Sequence, residues 1–451
     1  MTYQDMECDV VIAGCGVAGL YAALNLPQDM RVIMLSKGRV EECDSMLAQG
    51  GICVLPDRDD YDSFFEDTMR AGHNENRRES VDIMIRSSRT VANDLIALGV
   101  EFNRREDGSL DFTREGAHSR PRILYHADIT GREITSKLLA AVRRLPNVTI
   151  LEHVAMVDIL EGEHDGERAC AGVVAVPVDD ASALDPCDEL GVPGSAQEGE
   201  RFEIRAPHTL WACGGIGGMY EHSTNFPQLT GDAIYIAREH GVRMEDLDYV
   251  QIHPTGLYSP QPGRTFLISE SCRGEGAILL DSKGDRFVDE LLPRDVVATA
   301  IGEKMHEEGT ECEWLSFEPV DRETITGHFA NIRERCLEDG RDILNESIPI
   351  VPTQHYFMGG VWVDRDSATS LPGLFAAGET SCNGVHGKNR LASNSLLESL
   401  VFARRAAYAM RTGESLQVET AGEPALDGRH RRLGDVELAI DALCAADGTE
   451  A

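Results

Sequence analysis

Positive charge is scarce in this sequence: 42 Lys and Arg stand against 77 Asp and Glu, a formal net charge of −35. A surface of that sign repels phosphate backbones and anionic lipid, so neither nucleic acid nor a membrane is expected as a partner. An anionic substrate is still allowed, provided its site brings its own cations. Long apolar runs are also missing. No stretch approaches the roughly 20 residues that span a bilayer, and the acidic start Met1-Thr2-Tyr3-Gln4-Asp5-Met6-Glu7 does not read as a signal peptide. The 12 cysteines include no C-x-x-C pair. That argues against a disulfide framework and against zinc or iron–sulfur ligation, so no metal is expected. These absences together predict a reduced, cytoplasmic protein. Internal repeats are absent too.

What remains is an ordinary globular composition, 451 residues with 42% hydrophobic, long enough for two to four domains of ~100–200 residues. Asp9–Ala13 is a short apolar run that leads directly into Gly14-Cys15-Gly16-Val17-Ala18-Gly19 and then Leu20–Leu24. The pattern is strand, tight turn, helix. Arg31–Leu35 reads as the next strand of a βαβ unit. Helical spacing runs through 61–99 and again through Gly131–Leu145, with strands expected at Val148–Leu160, Ala169–Val178, Arg201–Ile204 and from Thr209. The Asp-, Ala-, Pro- and Gly-rich stretch 179–200 reads as an exposed hairpin insertion. From about 247 to 352 the composition shifts to short strands with helical stretches at 293–308 and 321–339. Gly373–Gly378 then reads as a strand and Ser395–Met410 as a long helix. The expected division is a dinucleotide-type domain over 1–246 and 353–412, an inserted domain over 247–352, and an acidic tail over 413–451 with one helix at Val436–Leu443.

The spacing Gly14-x-Gly16-x-x-Gly19 suits a bound dinucleotide. Gly14 permits the turn, Gly16 lets backbone approach a pyrophosphate, and Gly19 lets helix and strand pack closely. The helix N-terminus then offers free N–H groups to the phosphates. About 20 residues further on, an acid should receive a ribose hydroxyl. The strand ends instead in Leu35-Ser36-Lys37, which argues against a standard NAD site.

Four distant segments say more. Met46-Leu47-Ala48-Gln49-Gly50-Gly51-Ile52 and the stretch from Gly387-Lys388-Asn389-Arg390 through Leu391-Ala392-Ser393-Asn394 to Ser395-Leu396-Leu397-Glu398 resemble the two flavin-contacting segments of the succinate dehydrogenase/fumarate reductase flavoprotein family. Thr230-Gly231-Asp232 and Ala377-Gly378-Glu379 are similar to its other two. The resemblance runs from about residue 8 to about residue 410. It implies an α/β, Rossmann-like FAD-binding domain with an inserted α+β capping domain, and FAD held by Gly14, Gly16, Val17, Ala18, Gly19, Ser36, Lys37, Ser45, Gln49, Gly50, Gly51, Asp232, Glu379, Ser395 and Leu396. It also implies a helical C-terminal domain that is largely missing here, since only the acidic stretch 413–451 follows.

The family's substrates are four-carbon dicarboxylates. By resemblance, Gln251 and His253 belong to its substrate-histidine segment, Ser269, Glu270 and Arg273 to its hydroxyl and proton-relay segment, and Arg294 is its proton-transfer arginine. His355 and Arg390 match the remaining carboxylate ligands. A free guanidinium keeps its proton up to pH ~12, so Arg294 is expected to work as part of a relay with Glu270 and Arg273.

Two positions separate branches of the family. Members that link FAD covalently do so through a histidine five residues before Gln49; here that position is Asp44, which implies non-covalent FAD. The segment from Arg114-Glu115-Gly116-Ala117 through His118-Ser119-Arg120 to Pro121-Arg122-Ile123-Leu124 resembles the signature of the branch that oxidises L-aspartate. A carboxylate at Glu115 would pair with the ammonium group that distinguishes aspartate from succinate, whereas succinate would leave it desolvated and unpaired. That resemblance implies oxidation to iminoaspartate with dioxygen or fumarate as electron acceptor, and a link to quinolinate synthase in NAD biosynthesis. A fumarate reductase or succinate dehydrogenase flavoprotein subunit is the alternative.

Overall fold

The structure is a computed structural model that describes residues 3–178, 201–261, 263–428 and 439–446. Five short parallel strands form its central sheet, in the order Leu374–Ala376, His208–Trp211, Val10–Ala13, Val32–Ser36, Val148–Glu152. The middle strand is buried along its whole length. That is why it reads as a continuous apolar run and not as an alternating one. Helix Val17–Leu24 leaves this strand through the glycine turn and packs against the long helix Asn394–Thr412. Two chain segments nearly 400 residues apart thereby meet at the sheet's C-terminal edge, where ligands bind in open α/β sheets.

The predicted single strand 148–160 is two strands. His153 takes φ +56° and breaks it. Val148–Glu152 edges the parallel sheet, while Val154–His164 joins a second, four-stranded sheet with Glu167–Pro177, Phe202–Arg205 and Met6–Glu7. The predicted helix 61–99 is likewise two helices, Tyr61–Ala71 and Arg78–Ala97. His73 and Asn74 have φ +58° and +63° between them, and Arg77 N–H donates to the Gly384 carbonyl at 2.7 Å. A long-range contact thus overrides the local periodicity. The hairpin expected at 179–200 lies outside the described residues. The tail helix spans Ala439–Ala446 and packs against helix Val17–Leu24, and its Ala439 N–H donates to the carbonyl of Leu26, just beyond that helix.

Residues 250–357 build a five-stranded antiparallel sheet, ordered Phe266–Leu267, Val250–Leu257, Ile348–Phe357, Glu313–Ser316, Ile278–Leu280. It has its own apolar core, including Leu257, Ile268, Leu279, Val297, Leu315, Phe317, Phe329 and Ile350. Helix Arg294–Glu308 packs chiefly on strand Val250–Leu257 of this sheet. The pairing of Val250–Leu257 with Ile348–Phe357 shifts register at Gln251/Ile252 and again between His253 and Gly256. Such bulges re-aim side chains beside sites, and His253 and His355 lie on these two strands with ring centroids 5.3 Å apart.

Candidate active site

One elongated cavity runs from the glycine turn to the antiparallel sheet. Gly14, Gly16, Val17, Ala18, Ser36, Lys37, Ser45, Gln49, Gly50, Gly51, Asp232, Glu379, Ser395 and Leu396 line it, and so do Glu115, His253, Ser269, Glu270, Arg294, His355 and Arg390. Three residues picked out by resemblance stand behind the wall. Gly19 supports the turn, since a Cβ there would lie 2.1 Å from the Gly14 carbonyl oxygen. Gln251 bonds Asn389 and the Arg390 carbonyl, and accepts from Arg294 Nη1 at 3.1 Å. Arg273 is buried and donates to the Glu290 carbonyl; it reaches Glu270 only through its field, which helps lower the Glu270 carboxyl.

The dinucleotide end has the shape such a ligand needs. Gly14 sits at φ +114°, and a Cβ there would meet the Ala212 carbonyl oxygen at 2.0 Å, so only glycine fits. The first helical amide, Val17 N–H, is held by Ser45 Oγ at 3.1 Å. Lys37 does not reach out as a free cation. Its ammonium is shared among the Gln228 carbonyl, Thr230 Oγ1 and both oxygens of Asp232, 2.7–3.2 Å away. Lys37 therefore ties the Thr230-Gly231-Asp232 segment to the second strand. Gln49 donates to the Leu267 carbonyl at 3.2 Å while its Oε1 is buried without a partner. Orphaned polar atoms and a cradle that a Cβ would fill together fit an FAD occupant.

Asp44 lines the same cavity. Its Oδ1 accepts from Phe226 N–H at 2.9 Å and its Oδ2 has no partner. Burial pushes this carboxyl up to about 7, against the lowering effects of the Phe226 amide and the nearby Arg264. Glu379, also on the wall, is pushed up to about 8 by burial and by the field of Asp44.

The other end gathers cations and donors around two carboxylates. Arg294, the first residue of its helix, bonds Glu270 through Nε. Burial alone would raise the Glu270 carboxyl, but Arg294 and Arg273 outweigh it and hold it below its ordinary range. Arg390 donates to Ser395 Oγ at 3.1 Å, lies over the Tyr356 ring at 4.8 Å, and keeps its buried Nε unpartnered. Burial and the field of Arg294 bring Arg390 down to about 10, still cationic near neutrality. His253 Nδ1 accepts the Thr255 N–H at 3.2 Å. The ring proton must then sit on Nε2, which is buried without a partner, a spare donor for an anion. Thr224 Oγ1 meets His355 Nδ1 at 2.8 Å. Burial and the neighbouring arginines keep both imidazoles neutral.

Glu115 faces this cluster from a loop. Its Oε2 accepts from Ser393 Oγ at 2.6 Å. Its Oε1 lies against Gly50, where a Cβ would come within 2.3 Å, and a Cβ on Gly116 would come within 2.2 Å of Glu270 Oε1. Burial raises the Glu115 carboxyl, while the Ser393 hydroxyl and Arg294 pull the other way. Thr224, Asn225, Arg264, Tyr356 and Ser393 also line the cavity and were not singled out from the sequence. Ser393 sits inside a segment already recognised there, whereas Thr224 and Arg264 carry no local signal.

Fold and cavity define an FAD-binding flavoprotein, and residues 9–396 match the family described as FAD binding domain. The chain is 44% identical over 442 residues to an L-aspartate oxidase of Clostridium perfringens, an alignment that covers 98% of this chain and 95% of that protein. It is 39% identical over 427 residues to an L-aspartate oxidase of Neisseria meningitidis, covering 93% and 80% respectively. An E. coli quinol fumarate reductase FrdA structure superposes with TM-score 0.79 at 30% identity, over 92% of this chain and 72% of that one. The chain belongs to the L-aspartate oxidase family of the succinate dehydrogenase/fumarate reductase flavoproteins, and it is an FAD-dependent oxidoreductase.

Proposed function

We propose that the chain oxidises L-aspartate to iminoaspartate in this cavity, as the first step of quinolinate and NAD biosynthesis, in the cytoplasm and with FAD held non-covalently. The observation that carries the reading is the Glu115 carboxylate, seated between Gly50 and Ser393 at the edge of a cluster whose other carboxylate, Glu270, is already paired with Arg294. Arg390, His253 Nε2, His355 and Ser269 take the two substrate carboxylates, and Glu115 takes the ammonium group. Non-covalent binding is supported by Asp44, a carboxyl where the linked members carry an imidazole. No helix among the described residues is long and apolar enough to cross a membrane.

FAD, held by the residues of the glycine-turn end, would supply the hydride acceptor, with fumarate or dioxygen as the final oxidant. The residues do the rest. Turning the CH–ammonium group into an iminium removes one hydride and one proton, and the proton passes to the carboxylate of the Arg294–Glu270 pair. Because a guanidinium only donates, Glu270 is the acceptor, while Arg294 orients the substrate and keeps Glu270 ionised. Gln251 holds Arg294 in place from behind. The product imine hydrolyses readily, so a quinolinate synthase is the expected consumer.

The test is a steady-state comparison of L-aspartate and succinate on the purified, FAD-loaded protein with an artificial dye as electron acceptor, because succinate oxidised by fumarate gives no net change. Turnover of aspartate supports the reading. Turnover of succinate without aspartate would instead identify a fumarate reductase-type chain. Acid precipitation should release all of the FAD to the supernatant, and yellow protein in the pellet would contradict the non-covalent assignment.

A further inference from the structure

Behind Glu115 lies a second charged cluster that touches neither the cavity nor the proton relay. Arg122 is wholly buried. It holds Asp60 by two bonds, Nε to Oδ2 at 2.8 Å and Nη2 to Oδ1 at 3.0 Å. Its Nη1 donates to Asp67 Oδ2 at 2.7 Å and to His118 Nδ1 at 2.9 Å. A guanidinium has donors only, so His118 Nδ1 must accept. The ring proton then sits on Nε2, 3.0 Å from the Ala392 carbonyl, to which it donates. Burial, with the neighbouring Arg122, brings the ring down to about 4, which keeps it neutral in that tautomer near neutral pH.

The two bonds of this ring reach opposite ends of one contact. Ala392 precedes Ser393, whose hydroxyl donates to Glu115, and the Ser393 carbonyl is pinned by Cys53 N–H at 3.0 Å. On the other side, the Glu115 loop is pinned through Ser119, whose N–H and hydroxyl both donate to Asp67 Oδ2 at 2.7 Å. Arg122 and Asp67 thus hold the loop, and His118 ties that anchor to the residue beside Ser393.

We propose that His118, clamped by Arg122, is a positioning residue that sets the distance between Glu115 and Ser393 and thereby tunes recognition of the substrate's ammonium group. The proposal rests on the role given to Glu115 above. Its signature is selectivity, because succinate shares every carboxylate contact but has no ammonium group.

His118→Ala, His118→Gln and Glu115→Gln are made in the full FAD-loaded chain. KM and kcat for L-aspartate are measured together with the inhibition constant of succinate. For His118→Ala the aspartate KM should rise about tenfold, the scale of one hydrogen bond to a charged group, with kcat and succinate inhibition each moving by less than about twofold. His118→Gln keeps an amide donor for the Ala392 carbonyl and should recover most of the loss. Parallel weakening of aspartate and succinate, or no change in either, would overturn the proposal. If His118→Ala does not fold, Ser119→Ala removes one of the two bonds to Asp67 and should give the same split at smaller size; an even loss again overturns it. If Glu115→Gln separates the two ligands while the His118 variants do not, this proposal alone fails. If Glu115→Gln does not separate them, the Glu115 reading fails and this proposal with it.

Discussion

Arg122 and Arg390 are both buried, yet they are solved in opposite ways. Arg122 spends its guanidinium on Asp60, Asp67, His118, Ser63 and Ser119. Arg390 makes one side-chain hydrogen bond, stacks on Tyr356, and among the described residues pairs with no carboxylate. Leaving a buried cation uncompensated costs several kcal/mol, and the chain carries that cost at the cavity wall. The difference separates an arginine whose partners are already in the fold from one whose partner is a ligand. By the same measure the spare Nε2 of His253 is a ligand donor, whereas His118, bonded on both nitrogens, belongs to the frame.

The contrast can be broken by substitution. The largest effect is expected at Arg294. Arg294→Gln should lower kcat for aspartate by about 10²–10⁴-fold, the range of a general acid–base contribution. A kcat within a few-fold of the parent would remove Arg294 from the proton path. Next comes Arg122→Leu, which strands Asp60 and Asp67 and should cost about 3–5 kcal/mol in denaturant unfolding. Arg390→Leu should leave unfolding unchanged or slightly improved, yet weaken aspartate and succinate alike by about 2–5 kcal/mol in binding. If Arg390→Leu destabilised the fold as much as Arg122→Leu, the distinction between the two would be lost.

The smallest effect is a pH dependence. The Glu115 carboxyl is raised by burial, so it loses its charge as pH falls through that raised value, earlier than an exposed glutamate would. Aspartate affinity should therefore decline toward acid pH before succinate affinity does, and Glu115→Gln should flatten the difference. Titrating both ligands between about pH 5 and 8, the range over which most proteins stay folded, checks this. Coincident profiles would show that Glu115 does not face the ammonium group.

Much of this was readable along the chain because the residues announce themselves locally. The glycine turn and the helix opening at Asn394 are short-range patterns, and the structure has both. The misreadings share one cause. His153 and His73–Asn74 take left-handed backbone angles inside otherwise regular patterns, and each break serves a partner distant in sequence. The wall residues that went unnoticed follow the same logic. Thr224 matters because it meets His355, and Arg264 because it opposes Asp44; neither fact is written near those residues. Lys37 was noticed, but its own bonds bind it into the scaffold.

Gly50, Glu115 and Gly116 carry one last consequence. The Glu115 carboxylate occupies the space a side chain at 50 would need, and Glu270 occupies the space a side chain at 116 would need. A side chain at either position would have to push aside the end of a glutamate that is itself held, Glu115 by Ser393 and Glu270 by Arg294. Glycine at 50 therefore protects the seat of one carboxylate and glycine at 116 the pairing of the other, so two of the smallest residues near the cavity guard two different parts of its chemistry.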